Sequence, residues 1–396
     1  MGDLTPSRPF AGSSEPAKRL GVYIHWPYCA RICPYCDFNV FKDRAGDEPG
    51  ALARAIVADL RAQAALTGPR ELASVFLGGG TPSLMDPDWA AEIIAEARRL
   101  WTPAADLEVT LEANPTDAEA QRFAAFAAAG VNRLSLGLQS LDDAALKFLG
   151  RNHDAATAVR AARAAAAAFP RLSIDLIYAR PGQTPAAWAD ELRAALALGP
   201  EHVSPYQLTI EAGTAFDRAV RRGVFAPPDP DTGAALFDTT QEVLEAAGFE
   251  AYEVSNHARG AAARSRHNLI YWQGHDYLGA GPGAHGRITI GGVRHATRAA
   301  ARPADYIARV NAAGAGFATR EALDAREAAQ ERLLSGLRIT EGVPLADVEA
   351  LGIAPGRIAD LVGLGLLAQD PQRLRATPAG RLVLDRLTQE LALSLP

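Results

Sequence analysis

Short apolar segments alternate along the chain with alanine-rich segments whose apolar positions recur at helical spacing. Six of the apolar segments are typical of β-strands, and they are GVYIHW, SVFLGG, DLEVTLEAN, RLSLGLQ, RLSIDLIYA and HVSPYQLTI. Strands that alternate with helices predict βαβ units and a parallel sheet. About six such units occupy residues 21–248, too few for a closed eight-stranded barrel. We therefore predict an α/β fold, either a partial (β/α)6 barrel or an open sheet, with its ligand site at the carboxyl ends of the strands.

The pattern changes on both sides of the barrel domain, which we assign to residues 21–250. Residues 1–20 are polar and rich in proline and serine, without the apolar segment of a secretory signal, and we predict a disordered lead-in. Residues 251–325 are rich in glycine and aromatic residues, which favours a loop-rich cover over the site. Residues 326–396 contain helical segments around a short hairpin, which predicts a small winged-helix-like domain.

The charge balance does not favour nucleic acid as a partner. The formal net charge is -6, and residues 326–396 carry eight arginines against nine aspartates and glutamates. The winged-helix-like domain therefore lacks the basic surface of a DNA-binding domain, and we expect it to pack or to bind a protein. No apolar run is long enough for a spanning helix. We expect a cytoplasmic protein that reaches the inner membrane only through its partners.

Polar motifs stand at the carboxyl ends of the predicted strands. GGGTPS begins at Gly78, Glu112 and Gln139 close the third and fourth strands, Asp175 lies within the fifth, and ARPGQT follows it. Any one of these is more often a helix cap or a turn. Because the carboxyl ends of parallel strands share one edge of the sheet, five such motifs in succession predict a ligand site there.

All three cysteines of the chain, Cys29, Cys33 and Cys36, fall within eight positions. Three cysteines cannot form a disulfide framework, and in a reducing compartment clustered thiols indicate metal or redox chemistry. A zinc site with His25 as the fourth ligand is one alternative, and three unrelated buried cysteines are another. An iron–sulfur cubane fits better. Three thiolates leave one iron open to a ligand's amine and carboxylate.

The spacing Cys29-x3-Cys33-x2-Cys36, with Tyr35 before the last cysteine, resembles the signature of radical S-adenosylmethionine (SAM) enzymes. Further segments resemble, in order, motifs of the oxygen-independent coproporphyrinogen III oxidase family. They are YIHWPYC, GGGTPS, LEANP, RLSLGLQS, LGRNH, DLIYARPGQT, YQLTIEAGT, YEVSN and GPGAH. The resemblance covers roughly residues 20–390, including the C-terminal domain.

The resemblance implies a [4Fe–4S] cluster on the three cysteines, with SAM bound at the fourth iron. It also implies a set of residues around SAM, namely Tyr23, Tyr35, Gly79, Gly80, Thr81, Glu112, Gln139, Arg151 and Asp175. The glycines allow backbone to approach the methionine part of the cofactor. Glu112 is placed to contact an ammonium or a ribose hydroxyl. In the family, the positions that match Gln139, Arg151 and Asp175 hold the carboxylate and the ribose of SAM.

Two departures separate the chain from the decarboxylating oxidase. Phe38 stands where that enzyme has a further cysteine, and only about 20 unpatterned residues precede the first strand. In both features the chain resembles the HemW-like haem-chaperone branch of the family, which also carries the motif His-Asn-x-x-Tyr-Trp. Here that motif is HNLIYW, from His267 to Trp272. The resemblance implies that His267 ligates haem iron, whereas a histidine beside aromatic residues is more often packed and hydrogen-bonded.

Two functions of different classes therefore remain open. One is a haem chaperone that binds haem, a [4Fe–4S] cluster and SAM, and delivers haem to haem-requiring respiratory proteins. The other is an oxygen-independent coproporphyrinogen III oxidase that makes protoporphyrinogen IX by radical oxidative decarboxylation. A further hypothesis, that the protein forms a homodimer that depends on the cluster, is based on the resemblance alone.

Overall fold

The computed structural model of the protein describes residues 19–42 and 48–393. The described strands are β1 (Arg19–Trp26), β2 (Tyr28–Cys29), β3 (Phe41–Lys42), β4 (Glu71–Gly79), β5 (Thr102–Ala113), β6 (Arg133–Gln139), β7 (Arg171–Tyr178), β8 (His202–Gln207), β9 (Glu250–Glu253), β10 (Asn256–Ala258), β11 (Asp276–Ala280), β12 (His285–Ile290), β13 (Val293–Ala299), β14 (Phe317–Ala322), β15 (Val343–Pro344), β16 (Leu367–Gln369) and β17 (Arg373–Ala376). The described α-helices are α1 (Pro49–Thr67), α2 (Pro87–Leu100), α3 (Asp117–Ala120), α4 (Phe123–Ala128), α5 (Asp143–Phe148), α6 (Ala155–Ala168), α7 (Pro185–Leu196), α8 (Ala215–Arg221), α9 (Pro230–Ala246), α10 (Arg266–Trp272), α11 (Pro303–Ala313), α12 (Ala325–Gly336), α13 (Leu345–Ala350), α14 (Pro355–Gly363), α15 (Pro378–Leu382) and α16 (Leu384–Leu393).

A parallel sheet forms the centre of the molecule. The six predicted strands are β1, β4, β5, β6, β7 and β8, and they lie side by side in that order. Each pairs in parallel with the next, and helices cross over between them. The α/β prediction is confirmed. The outermost strands of this sheet, β14 and β9, do not pair with each other within the described residues, so the sheet is open.

The segment after residue 250 extends the sheet on both sides. Strand β11 pairs in parallel with β1, β12 to β14 continue in antiparallel pairs, and β10 and β9 lie beyond β8. The prediction of a loop-rich cover for residues 251–325 is therefore wrong for most of that segment. Its glycines serve close strand packing: a Cβ on Gly279 would lie 2.2 Å from the carbonyl oxygen of His285. Strand β11 also covers the edge that β1 would otherwise expose.

The main hydrophobic core lies between the sheet and the crossover helices. Apolar positions alternate along β1, and apolar residues recur four apart along α1, so each element buries one face against the other. Side chains that are 0% exposed in this layer include Leu20, Val22, Ile24, Leu52 and Ile56. Burying each contributes on the order of 1.5–3 kcal/mol relative to exposure.

The other face of the central strands is polar and buried. At its base Glu108 is 0% exposed and accepts a hydrogen bond from Arg171 Nη1 at 2.7 Å. The backbone N–H groups of Arg266 and His267, at the start of α10, donate to the same carboxylate at 3.1 and 3.0 Å. Burial opposes its ionisation, but Arg133, Arg171 and these amides hold the pKa of Glu108 below its usual value. Helix α10 thus closes the base of the sheet through its N-terminus.

The C-terminal residues form the predicted winged-helix-like unit. Its elements follow the order α12, β15, α13, α14, β16 and β17, and its three strands make a separate sheet. This unit docks on the main sheet through Arg338. Its guanidinium pairs with the buried Glu253 at 2.6 Å and lies 4.7 Å from the ring centre of Trp272. The C-terminal domain is therefore fastened to the strand and the helix that close the main domain.

Two sequence-based expectations concern the ends and the membrane. The predicted lead-in, residues 1–20, lies outside the described residues except for Arg19 and Leu20, which begin β1. Among the described residues, none of the helices has both the length and the apolar character that a membrane crossing requires.

Candidate functional site

The carboxyl ends of the central strands open into a cleft of about 1320 Å³. Its inner wall comes from β4, β5, β6 and β7, and the loop around the three cysteines covers it from one side. Residues 381–386 of the C-terminal domain line its outer part. This is the edge at which parallel α/β sheets bind ligands, as the order of the polar motifs predicted.

The cysteine loop is held at both ends and in its middle. Strand β2, which ends at Cys29, pairs with β3, so the loop leaves and returns at neighbouring points. The backbone N–H of Phe216, in α8, donates to the carbonyl of Pro34 at 3.0 Å. The ring of Tyr35 lies 6.2 Å from that of Phe216. The loop therefore has a defined position over the strand ends.

All three thiols line the cleft. Cys29 is buried, and the hydroxyl of Thr81 donates to its Sγ at 3.5 Å. Cys33 is half-buried and receives Arg151 Nη1 at 3.4 Å. Burial raises the pKa of Cys29, and burial with the neighbouring thiols raises that of Cys36 to about 11. The thiols of Cys29 and Cys36 are thus protonated at neutral pH, and bound metal cations would stabilise them as thiolates.

The glycine run of β4 brings this strand against the chain that leads into the cysteine loop. The backbone N–H groups of Gly80 and Thr81 donate to the carbonyls of Trp26 and Tyr28 at 2.8 and 2.9 Å. A Cβ on Gly80 would lie 2.7 Å from the backbone of Pro27, so no larger residue fits. Gly79, Gly80 and Thr81 all line the cleft.

Two half-buried carboxylates, Glu112 and Asp175, lie on the inner wall of the cleft. Glu112 accepts a hydrogen bond from the backbone N–H of Gly79 at 3.0 Å, and Asp175 accepts one from Ser135 Oγ at 3.0 Å. Burial and the nearby Asp175 raise the pKa of Glu112 to about 7, and burial raises the pKa of Asp175. Neither carboxylate forms a direct ion pair with an arginine or lysine of the described residues. A cationic ligand would favour their charged forms.

Gln139 and Arg151 complete the inner wall. Gln139 has φ 64°, a strained value for a residue with a side chain, and its Oε1 is buried without a hydrogen-bond partner among the described residues. Arg151 donates to the side-chain oxygen of Asn114 and, at 3.1 Å, to the carbonyl of Gly137. An unpaired acceptor and an oriented guanidinium thus face the same cleft as the thiols.

Tyr23 is not among the residues that line the cleft, and its place at a cofactor stays a prediction. Its hydroxyl lies 2.9 Å from Nδ1 of His25, on the polar face of the sheet below the cleft. The Nε2 of His25 lies 2.9 Å from the carbonyl of Asn39, an acceptor, so Nε2 donates and Nδ1 accepts from Tyr23. Tyr23 therefore positions a histidine that holds the end of the cysteine loop.

His267 also lies outside the cleft, and haem ligation by this residue stays a prediction. It is 1% exposed in α10, with Nδ1 2.8 Å from Ser74 Oγ and Nε2 hydrogen-bonded to the hydroxyl of Tyr271. Its ring stacks on Phe76 at 4.9 Å. Burial lowers the pKa of His267 to about 3, so the ring is neutral. Both nitrogens are engaged, and the residue packs at the base of the sheet.

Comparison with known proteins assigns the chain to a family. The Radical SAM superfamily model matches residues 23–195, and the HemN C-terminal domain model matches residues 323–383. Over its length the chain is 38% identical to the heme chaperone HemW of Mycobacterium tuberculosis strain H37Rv, covering 95% of each chain. The chain belongs to the HemW-like family of radical SAM proteins.

Other relatives agree with this family. Radical S-adenosyl methionine domain-containing protein 1, mitochondrial, of Bos taurus is 41% identical over 98% of this chain and 89% of its own. HemW of Escherichia coli K12 is 40% identical over 68% of this chain and 71% of its own. Among solved structures, coproporphyrinogen III oxidase (HemN) of Escherichia coli superposes with a TM-score of 0.79 at 21% identity, covering 95% and 90% of the two chains. That likeness shows a shared fold.

The radical SAM family implies a [4Fe–4S] cluster, and the donor set fits one better than zinc. Among the described residues, no three His, Cys, Asp or Glu side chains are placed to hold a single ion. His25, the fourth ligand that a zinc site would need, has both ring nitrogens engaged elsewhere. In a cubane each thiolate binds a different iron, so its ligands do not have to converge on one point.

Sequence reasoning missed Asn114, which joins two parts of the radical SAM site. Its Nδ2 donates to Thr81 Oγ1 at 3.1 Å, while its side-chain oxygen accepts from Arg151. Asn114 thereby links Thr81, which donates to the sulfur of Cys29, to Arg151, which donates to the sulfur of Cys33. The residue stands inside the motif LEANP, and that motif was the signal that could have identified it.

We expect Cys33→Ala to abolish cluster assembly. Two thiolates cannot hold the three irons that the family's cluster presents to the protein. The measurement is iron and acid-labile sulfide per chain after anaerobic reconstitution, together with the visible absorption of the cluster. His295→Gln, which alters a histidine of β13 that does not line the cleft, is the control and should keep both elements. Full iron and sulfide in Cys33→Ala, or zinc in the unaltered protein, would overturn the ligand assignment.

We expect His267→Ala to destabilise the fold. The change leaves two buried hydroxyl groups without partners and a cavity against Phe76, which together cost about 2–4 kcal/mol. The measurement is the free energy of unfolding from urea denaturation. His295→Ala is the control, because the His295 ring bonds only to a carbonyl of its own strand, and it should change stability by less than about 0.5 kcal/mol. Equal stability of the two variants would contradict a packing role for His267.

Proposed function

We propose that the protein is a radical SAM haem chaperone that binds a [4Fe–4S] cluster, SAM and haem, and delivers haem to haem-requiring respiratory proteins. One observation carries the proposal: the chain is 38% identical to a protein named heme chaperone HemW across 95% of both chains. The similarity includes the C-terminal domain as well as the barrel. A relation limited to the barrel would support the cofactor chemistry alone.

The cluster site in this proposal consists of Cys29, Cys33 and Cys36. Thr81 and Arg151 donate to two of the three sulfurs, and such donors stabilise negative charge on thiolates. When bound, a reduced [4Fe–4S] cluster with SAM at its open iron supplies one-electron reductive cleavage of the sulfonium. The protein orients the donors and shields them within the cleft.

SAM, in this proposal, occupies the inner wall of the cleft. Its ammonium and sulfonium carry positive charge, which suits the half-buried carboxylates Glu112 and Asp175. The unpaired oxygen of Gln139 is an acceptor for a ribose hydroxyl, and Arg151 supplies a cation for the carboxylate. Gly79 and Tyr35 line the same wall. The charged groups and the ribose of the cofactor therefore have complementary groups in the described residues.

The oxidase alternative is supported by the fold that the chain shares with HemN at 21% identity. A shared fold at that identity does not establish a shared activity. Phe38 occupies the position of the oxidase's additional cysteine, and it is 63% exposed in the cleft. The chaperone is therefore the function that we favour. A cytoplasmic location and a cluster-dependent homodimer stay predictions.

We expect SAM to bind more tightly as the pH rises through 7. The pKa of Glu112 is raised to about 7, so its carboxylate is mostly protonated below that pH and attracts a cation only above it. Between pH 6 and 7.5 the ionised fraction of Glu112 rises about eightfold. If SAM binds only to the ionised form, its Kd should therefore fall by at most about eightfold over this range. The measurement is SAM affinity by calorimetry with reconstituted protein across this range.

Two variants make the pH test specific. Glu112→Gln should remove the pH dependence and weaken binding at pH 7.5. Glu211→Gln changes an exposed carboxylate of the same cleft and should keep the dependence. A pH profile that Glu112→Gln leaves unaltered would show that another group governs it.

We expect the reconstituted protein to bind haem and to leave coproporphyrinogen III unchanged. The assay combines the protein with SAM, a reductant and coproporphyrinogen III without oxygen, and a parallel titration follows the Soret band of added haem. The Cys33→Ala variant, which should lack the cluster, gives the background level of protoporphyrinogen IX. Protoporphyrinogen IX above that background would overturn the chaperone assignment in favour of the oxidase. Haem transfer to an apo-cytochrome from the loaded protein would support delivery.

A further inference from the structure

Exposed apolar side chains are concentrated in the outer part of the cleft. Ten large apolar side chains are exposed among the described residues, and five of them line this cavity. These five are Ile32, Phe38, Tyr206, Leu382 and Val383. A cluster of exposed apolar residues inside a concave site marks the contact surface of an apolar ligand.

Four of these five residues come from two separate parts of the chain, and Tyr206 comes from β8. Ile32 and Phe38 belong to the cysteine loop and are 45% and 63% exposed. Leu382 ends α15 of the C-terminal domain, Val383 joins that helix to α16, and the two residues are 51% and 43% exposed. A flat ligand in this part of the cavity can therefore bury apolar surface against both parts.

Two arginines in the same region form no ion pair within the part of the chain that the structure describes. Arg381 is half-buried next to Leu382, and it forms no ion pair with any carboxylate of the described residues. Burial alone lowers its pKa, since no anion compensates for the loss of water. Arg31, on the cysteine loop, is exposed and also has no ion-pair partner among the described residues. A ligand with two carboxylates would satisfy both.

The other charged side chains of the outer cleft are less suited to bind such a ligand. Arg338 already pairs with Glu253, and Arg386 pairs with Glu390. The anionic residues that line this region are Asp37, Glu211, Asp229 and Asp385. They would repel carboxylates, so the two unpaired arginines define where carboxylates can lie.

We infer that the outer part of the cleft is the haem site. The macrocycle packs against Phe38 and Ile32 of the cysteine loop and against Leu382 and Val383 of the C-terminal domain, with its propionates toward Arg381 and Arg31. The inference rests on the proposed function and deepens it by giving haem a location distinct from the HNLIYW segment.

The lining of this site also determines how haem is held. Among the described residues that line the cleft there is no histidine. Binding then depends on apolar contact and on carboxylate pairing, with no imidazole bond to the iron. A recipient that offers histidine ligands can therefore take the haem away, which suits transfer. Haem in this place would also touch the loop that carries the cluster ligands.

The test is a titration of the full-length reconstituted protein with haem, haem dimethyl ester and metal-free protoporphyrin IX. The site variants are Phe38→Ser, Leu382→Ser and Arg381→Gln. The controls are Leu364→Ser, which alters an exposed leucine of the same domain outside the cleft, and Arg320→Gln, which alters an exposed arginine of β14. Iron and sulfide content is measured for each protein, because Phe38 is close to Cys36 in the chain.

We expect each site variant to raise the Kd for haem, by about tenfold for Arg381→Gln, and the controls to leave it unchanged. Esterifying the propionates removes the same interaction as Arg381→Gln, so the two changes together should weaken binding little more than either alone. Protoporphyrin IX should bind about as tightly as haem, because the iron makes no imidazole bond in the cleft.

The outcomes separate this inference from the proposed function. If the unaltered protein binds haem and the site variants bind it equally well, the location is wrong and the chaperone assignment stands. If protoporphyrin IX fails to bind where haem does, iron ligation dominates and the location is also wrong. If the unaltered protein binds no haem, both the location and the proposed function fall.

Discussion

Glu108 is buried at the base of the sheet, and Arg171 and two amides of α10 stabilise its charge. The same face of the same strand carries Glu112 four residues further on, at the cleft, where neither a direct arginine contact nor a helix N-terminus compensates for burial. In β5, the negative charge of Glu108 is therefore neutralised within the protein, whereas the carboxylate of Glu112 can interact with a cationic ligand. The fold gains a closed base from the first carboxylate and a cation-binding wall from the second.

The cysteine loop depends on this frame. His25 holds one end of it through Asn39, and α8 holds its middle through Pro34. The glycine run of β4 lies directly below, where Gly80 meets the backbone of Pro27 with no room for a side chain. The thiols therefore stand over the strand ends because the loop is fixed at several points, and residues 381–386 complete the cleft from the C-terminal domain.

Much of the fold and the inner site could be predicted from local signals. The six central strands have runs of apolar residues, and the cluster ligands have a spacing that few other sites share. Eleven of the thirteen predicted site residues line one cleft, because motifs at the carboxyl ends of parallel strands must meet. Tyr23 and His267 do not, because a motif identifies residues without stating which face of the sheet they occupy. The glycine-rich segment after residue 250 forms strands, since its glycines permit close strand pairing that a sequence pattern does not distinguish from a loop.

The sequence by itself determined the class of fold, the six central strands and the identity of the three thiols, because these depend on periodicity and on spacing along the chain. Only the tertiary structure decided that His267 packs at the base, that Asn114 joins two sulfur contacts, and that Phe38 and Leu382 line one cavity. Phe38 and Leu382 are more than three hundred residues apart, and Asn114 is far in the chain from the cysteines. Contacts of that kind depend on how the sheet and the C-terminal domain pack, and no local pattern encodes them.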